Sequence, residues 1–106
     1  MKTIALAVHG GAGTLAPSSL TPEKEAAYRQ ALETAAKRGH AVLAEGGSAV
    51  DAVETSVRVL EDSPLFNAGR GAVFNANGQH EMDAAIMEGQ ALRAGGVAGV
   101  QNVKNP

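Results

Sequence analysis

Three stretches of the chain carry residue types that could do chemistry. The first is His9-Gly10-Gly11-Ala12-Gly13. Clustered glycines let backbone N–H groups approach an anion or a developing oxyanion. The same residues also make a tight turn after a strand, and taken alone they are read that way. The spacing Gly10-x-x-Gly13 is not the G-x-G-x-x-G of a dinucleotide loop, and no helix opens directly after it. The second stretch, 60–71, reads as a loop with Pro64, Gly69 and Gly71 set around apolar Leu65 and Phe66. A buried loop must satisfy its carbonyl groups. Wrapping them around a hard cation is one way; water and neighbouring backbone are the plainer way. The third is Glu81 and Asp83, which alternate about Met82 and so share one side of a strand. A carboxylate pair suits acid–base work, but the preferred reading is the polar face of a hairpin.

The other reactive side chains form no pattern. His9, His40 and His80 are scattered, with no H-x-x-x-H or H-E-x-x-H spacing for a transition metal. His9 is expected to be buried and hydrogen-bonded, and His40 to lie on a solvent face. None of the serines or threonines sits in G-x-S-x-G or in the pattern of a serine hydrolase. With no cysteine in the chain, a disulfide framework, a thiolate zinc site and a Cys nucleophile are excluded. Composition and spacing alone name no reaction.

Elements must position these stretches. Residues 3–8 are a short apolar run that ends in the glycine cluster and reads as a buried strand. Residues 14–20, with Pro17-Ser18-Ser19, read as a loop. Thr21-Pro22-Glu23 is a helix start, with Thr as N-cap, Pro in the first turn and acids behind it. Tyr28, Leu32, Ala35, Ala36, Val42 and Leu43 follow at helical spacing until Gly46-Gly47. Ser48 caps a second helix, with Asp51 in the place of the usual Glu of a capping box. Val50, Val53, Val57 and Leu60 mark its expected buried stripe, Arg58 pairs with Glu54 one turn away, and Asp62-Ser63-Pro64 ends it. Strands are expected over 72–76 and 79–87 around the hairpin signal Asn77-Gly78, a further turn at Glu88-Gly89, and a third strand over 94–103. The order strand–helix–helix–strand–strand–strand is an α+β pattern.

The chain has 106 residues, 44% of them apolar, but 21 of the apolar residues are Ala. Alanine buries little area, so the core is expected to be thin, and the chain reads as a piece of a larger packed unit. A net charge of −2 with interspersed signs argues against a nucleic-acid surface or a polybasic membrane anchor. The basic, apolar start is cut short by the glycines, unlike a signal peptide, and no stretch reaches transmembrane length. A cytoplasmic location is the expectation.

Several motifs, in order, resemble one family. They are His9-Gly10-Gly11-Ala12-Gly13, Ser48-Ala49-Val50-Asp51-Ala52-Val53 and Leu65-Phe66-Asn67-Ala68-Gly69-Arg70-Gly71-Ala72-Val73-Phe74. They continue with Glu81-Met82-Asp83-Ala84-Ala85-Ile86-Met87-Glu88-Gly89, Gly96-Val97-Ala98-Gly99-Val100 and Asn105-Pro106. This set is similar to the plant-type L-asparaginase/isoaspartyl aminopeptidase group of N-terminal-nucleophile hydrolases, and the likeness spans essentially the whole chain. It implies an αββα four-layer sandwich. It implies a precursor that cuts itself before a threonine, which becomes the N-terminus of a β-subunit, and a dimer of αβ units. The reaction implied is hydrolysis of the side-chain amide of L-asparagine or of β-aspartyl dipeptides, by that threonine hydroxyl with its own α-amine as base.

The sequence departs from the family in lacking that threonine. The only Gly-Thr bond, Gly13-Thr14, is followed by Leu15-Ala16-Pro17 and lies in the wrong place. The oxyanion-hole Thr and Gly, and the Arg and Asp that grip the substrate, are absent too. Residues 1–106 are therefore expected to be the N-terminal part of the α-subunit of a single αββα domain, about the first third of a precursor, inactive alone, with no catalytic residue of its own. The closing Asn105-Pro106, which opens a turn or helix elsewhere, fits that expectation. The resemblance implies supporting roles. Leu60, Glu61, Ser63, Phe66, Ala68 and Arg70 match a sodium-binding loop that offers main-chain carbonyls. Asn67 matches a position near the nucleophile, and His9, Gly10 and Gly11 a turn near the cleavage site. No organic cofactor is implied. The alternatives are a non-catalytic α/β binding module, or the glycosylasparaginase/threonine aspartase branch of the same superfamily.

Overall fold

A computed structural model describes residues 2–13 and 15–106; Thr14, the first residue of the expected 14–20 loop, lies outside the described residues. A short 3-10 turn, Pro17–Ser19, precedes two helices, α1 (Pro22–Ala44) and α2 (Ala49–Asp62). An antiparallel pair follows, β1 (Met82–Glu88) and β2 (Arg93–Val100). The described chain is thus α+β.

Local chemistry sets the helix ends where the sequence places them. Thr21 Oγ1 accepts the N–H of Lys24 at 3.2 Å, and Pro22 occupies the first turn. At the other end Gly46, at φ +86°, turns the chain so that Gly47 N–H donates to Val42 O at 2.8 Å and Gly46 N–H to Leu43 O at 3.0 Å. This is the paired bonding of a glycine-terminated helix. Ser48 Oγ accepts Asp51 N–H at 3.0 Å and donates to the Asp51 carboxylate at 2.7 Å. The shorter Asp therefore bonds the capping hydroxyl itself, rather than reaching back to a backbone N–H as in the reciprocal Glu form. The Arg58–Glu54 pair forms at 3.8 Å on the exposed face.

The helices meet through small residues. Ala35 and Ala52 are fully buried, and Ser56 Oγ donates to Ala35 O at 2.9 Å across the seam. Gly39 lies at the closest approach. A Cβ there would collide with Ser56 Oγ and come within 2.9 Å of both Ala52 O and Leu6 Cδ1. The core proper is Ala35, Leu60 and Phe66, with Val8, Tyr28 and Leu32 packed on it. Tyr28 and Phe66 meet edge to face, 5.7 Å between ring centres. Half of the expected α2 stripe holds: Leu60 is buried and Val50 half-buried, but Val53 and Val57 are 40% and 47% exposed. The period is right and the phase is not, because Ala52 and Ser56 let α1 approach more closely than valines would. Val53 and Val57 instead line a groove of about 550 Å³, opposite Ile86, Met87 and Val97.

The expected first strand, 3–8, is extended but pairs with no other strand among the described residues. It still shows strand alternation. Ile4, Leu6 and Val8 are half-buried and Thr3, Ala5 and Ala7 exposed, so one edge of it packs on the helices. The expected strand over 72–76 is reduced to one bridge, Phe74 with His80. The Asn77-Gly78 turn forms, but Asn75 Oδ1 takes the N–H groups of Asn77 (2.9 Å) and Gln79 (3.0 Å). A side chain that captures nearby backbone donors competes with the ladder, so regular pairing begins only at Met82. The β1–β2 register then slips: Met82 faces Val100, but Ala84 faces Val97. Gly99, at φ +63°, absorbs the extra residue, and Asp83 Oδ1 accepts its N–H at 2.8 Å.

Candidate functional site

The glycine turn and the 60–71 loop, far apart in sequence, meet at one ring. A Cβ on Gly10 would come within 3.2 Å of Phe66 Cε1 and 2.9 Å of Leu32 Cδ2. The missing side chain lets the exposed turn approach the edge of the core closely. Gly11, at φ +113°, turns the chain back so that its N–H donates to His9 Nδ1 at 3.1 Å. That bond makes Nδ1 an acceptor and leaves the ring proton on Nε2. His9 is exposed rather than buried: its partner lies within its own turn, so no burial is needed to satisfy it. Its Nε2 edge is turned to no partner among the described residues.

The loop folds inward on its own carbonyls. Arg70 N–H donates to Glu61 O at 2.7 Å, Ala68 N–H to Phe66 O at 2.9 Å, and Ser63 N–H to Leu60 O at 3.3 Å. Among the hydrogen bonds of the described residues, the carbonyls of Ser63, Ala68 and Arg70 accept none. Each carbonyl has two lone pairs, so all six carbonyls of Leu60, Glu61, Ser63, Phe66, Ala68 and Arg70 keep acceptor capacity. The glycines are required by this wrapping. A Cβ on Gly69 would lie 2.6 Å from Glu61 O, and one on Gly71 would collide with Phe66 O and lie 2.6 Å from Pro64 O. Neutral carbonyl oxygens are the donor chemistry that a hard cation such as sodium takes. Among the described residues no group of three or more His, Cys, Asp or Glu could hold a metal.

Asn67 stands beside Phe66 and closes the loop. Its Oδ1 accepts Val73 N–H at 3.0 Å, which ties the loop to the segment that follows. The helix end is clamped from the other side. Asn105 Nδ2 donates to Glu61 Oε2 at 2.9 Å and to Asp62 Oδ1 at 3.0 Å, and Lys104 stands 3.7 Å from Asp62. Asn105 holds the Asp62 carboxyl below the usual carboxylate range, with Lys104 and Arg58 assisting against partial desolvation. Glu61 is a buried carboxylate, at 5% exposure. In sequence, Asn105 stands out as a turn signal and as part of the closing Asn105-Pro106 motif. Its distance from Glu61 along the chain hides the contact, and no local pattern could have shown it.

Glu81 and Asp83 are both exposed, and each binds β2 or its continuation. Asp83 serves Gly99, and Glu81 Oε1 accepts from Gln101 Nε2 at 3.3 Å. They hold the hairpin together and converge on no common site. His40 lies on an exposed face of α1, as expected.

The family model described as asparaginase matches residues 2–106. The isoaspartyl peptidase of Salmonella typhimurium is 47% identical over 106 residues, all of this chain and 34% of that protein. The plant-type L-asparaginase of Pyrococcus furiosus is 50% identical over 103 residues, 97% of this chain and 32% of its own length. The isoaspartyl peptidase/L-asparaginase of Xenopus laevis is 46% identical over 106 residues, all of this chain and 32% of that protein. The chain spans about a third of the length of the curated relatives it matches. By its match along 2–106, the chain belongs to the asparaginase family.

Proposed function

We infer that these residues are part of a hydrolase acting on the side-chain amide of L-asparagine or on the β-aspartyl bond of isoaspartyl dipeptides. The names of the relatives, isoaspartyl peptidase and L-asparaginase, support this choice. In this reading the nucleophile is the hydroxyl of a threonine at the N-terminus of a β-subunit, freed by self-cleavage. A hydroxyl is a weak nucleophile, and the threonine's own α-amine, at hydrogen-bond distance, takes its proton. The present residues form the front of the α-subunit within a four-layer αββα sandwich, and two αβ units pair.

The observation that carries the reading is the seating of Gly10 on Phe66. It joins a glycine turn, His9 to Gly11, to the loop whose carbonyls would hold an ion, in which Asn67 follows Phe66 directly. Sodium held by the carbonyls of Leu60, Glu61, Ser63, Phe66, Ala68 and Arg70 would supply positive charge for those main-chain oxygens to balance. The loop's own work is to fix the position of Asn67, whose Oδ1 holds Val73, and so to steady the active-site end. The His9–Gly11 turn is the wall against which the cleavage segment rests.

The test is made on the whole protein that contains this chain. Replacing the threonine that begins its β-subunit with alanine should abolish both self-cleavage and ammonia release from L-asparagine. Full turnover by an uncleaved alanine variant would overturn the reading.

A further inference from the structure

Five asparagines occur in the chain, and one differs from the rest in its surroundings. Asn67 Oδ1 holds Val73, Asn75 Oδ1 holds Asn77 and Gln79, and Asn105 Nδ2 is bonded to Glu61 and Asp62. Asn102 is followed by the β-branched Val103, and Asn105 by Pro106, which has no N–H. Asn77 alone is followed by glycine. It is exposed at the tip of its turn, and its side chain makes no hydrogen bond among the described residues. Around Gly78, at φ +73°, nothing lies within 4 Å of where a Cβ would sit.

We propose that Asn77–Gly78 is a site of spontaneous modification, at which the chain deamidates and converts to an isoaspartyl linkage. Solvent base removes the proton from the Gly78 backbone nitrogen, which attacks Cγ of Asn77. The new N–Cγ bond closes a succinimide ring, the Cγ–Nδ2 bond breaks, and ammonia leaves with a proton from water. A second water then opens the ring. Attack at the Asn77 main-chain carbonyl leaves isoaspartate, and attack at Cγ leaves aspartate. The absence of a side chain on Gly78 lets the nitrogen reach the side-chain carbon. In the closed turn its N–H donates to Asn75 O at 3.0 Å, so the reacting form is the opened turn, reached by fraying of an exposed tip rather than by unfolding. The product lengthens the main chain by one methylene at the tightest point of the turn. It thereby removes the spacing that holds Asn75 N–H on Gln79 O at 2.8 Å and stacks Phe74 on His80 at 4.1 Å.

The experiment is ageing of the intact protein at neutral and mildly alkaline pH, followed by tryptic mapping. Cleavage after Arg70 and Arg93 releases Asn75 and Asn77 in one peptide, so each is the other's control. The amide-to-acid mass gain should accumulate at Asn77 and not at Asn75, faster at higher pH, with isoaspartate exceeding aspartate on fragmentation. Gly78→Ala should slow it severalfold, by crowding the attacking nitrogen, when the rates are compared in the denatured chains, where the strain of a side chain at φ +73° does not open the turn. Equal rates at Asn75 and Asn77, or an Asn77 rate unchanged by Gly78→Ala, would overturn the proposal.

Discussion

The side-chain amide of Asn105 meets the buried carboxylate of Glu61 at 2.9 Å, across 44 residues of sequence. Through the same Glu61, whose carbonyl accepts from Arg70 N–H at 2.7 Å, the contact links the last described residues to the carbonyl loop. Asn105→Ala leaves a buried acceptor without its partner, and the expected loss of stability on that account is about 1–3 kcal/mol. Thermal unfolding of the variant beside the parent measures it.

The same variant should show a defined pH dependence. The Asp62 carboxyl is held low in the folded chain, first by Asn105 and then by Lys104 and Arg58. A depressed folded pKa adds stability that is fully present above the ordinary carboxylate pKa of about 4 and is lost as pH falls through the lower folded value. The melting-temperature gap between parent and Asn105→Ala should therefore be widest near neutrality and narrow under acid. A gap that widens on acidification would contradict the assignment.

Two glycines of one motif should respond differently to the same change. Gly10→Ala forces a Cβ into Leu32 and Phe66, whereas the Cβ of Gly13→Ala meets nothing within 4 Å. Leu32 is half-buried and can swing its tip aside, so the cost is at the low end of overpacking, about 1 kcal/mol. Denaturant unfolding should thus rank Gly10→Ala modestly below the parent and Gly13→Ala close to it.

Gly71→Ala should be more damaging to the loop than to the core. Its Cβ collides with Phe66 O and approaches Pro64 O, so the loop must open and its carbonyls disperse. The parent's melting temperature should rise with sodium concentration by mass action relative to a bulky organic cation, and Gly71→Ala should lose that rise. A sodium response kept intact in the variant would place the ion elsewhere.

Asn67→Ala removes the acceptor for Val73 N–H. The expected cost is about 1 kcal/mol in stability, with a fall in kcat for the whole enzyme larger than any rise in KM. Asn67→Asp, which keeps the acceptor oxygen, should retain more of kcat.

Local signals proved readable from sequence and long-range ones did not. Thr21, Gly46 and Ser48 end their helices through bonds to residues within a few positions, so their roles are written in short words of sequence. The phase of α2 was not legible. Val53 and Val57 have the right spacing for a buried stripe, but the helix seam chose Ala52 and Ser56, a choice set by Gly39 on the other helix. Residues 3–8 have the apolar run of a buried strand, yet a ladder needs a second strand that a single run of sequence cannot name. In the candidate site, Phe66 and the loop glycines stand out as apolar and conformational punctuation, while the contact of Gly10 with Phe66 and the clamp of Asn105 on Glu61 exist only in three dimensions.

The role assigned to the carbonyl loop is tested most directly by hydrolysis in sodium chloride against tetramethylammonium chloride at equal ionic strength. The whole protein, given L-asparagine and a β-aspartyl dipeptide in turn, should turn over at least one of them in sodium, and lose most of that rate when sodium is exchanged. Failure to hydrolyse either substrate in sodium, or a rate indifferent to the cation, would contradict the account.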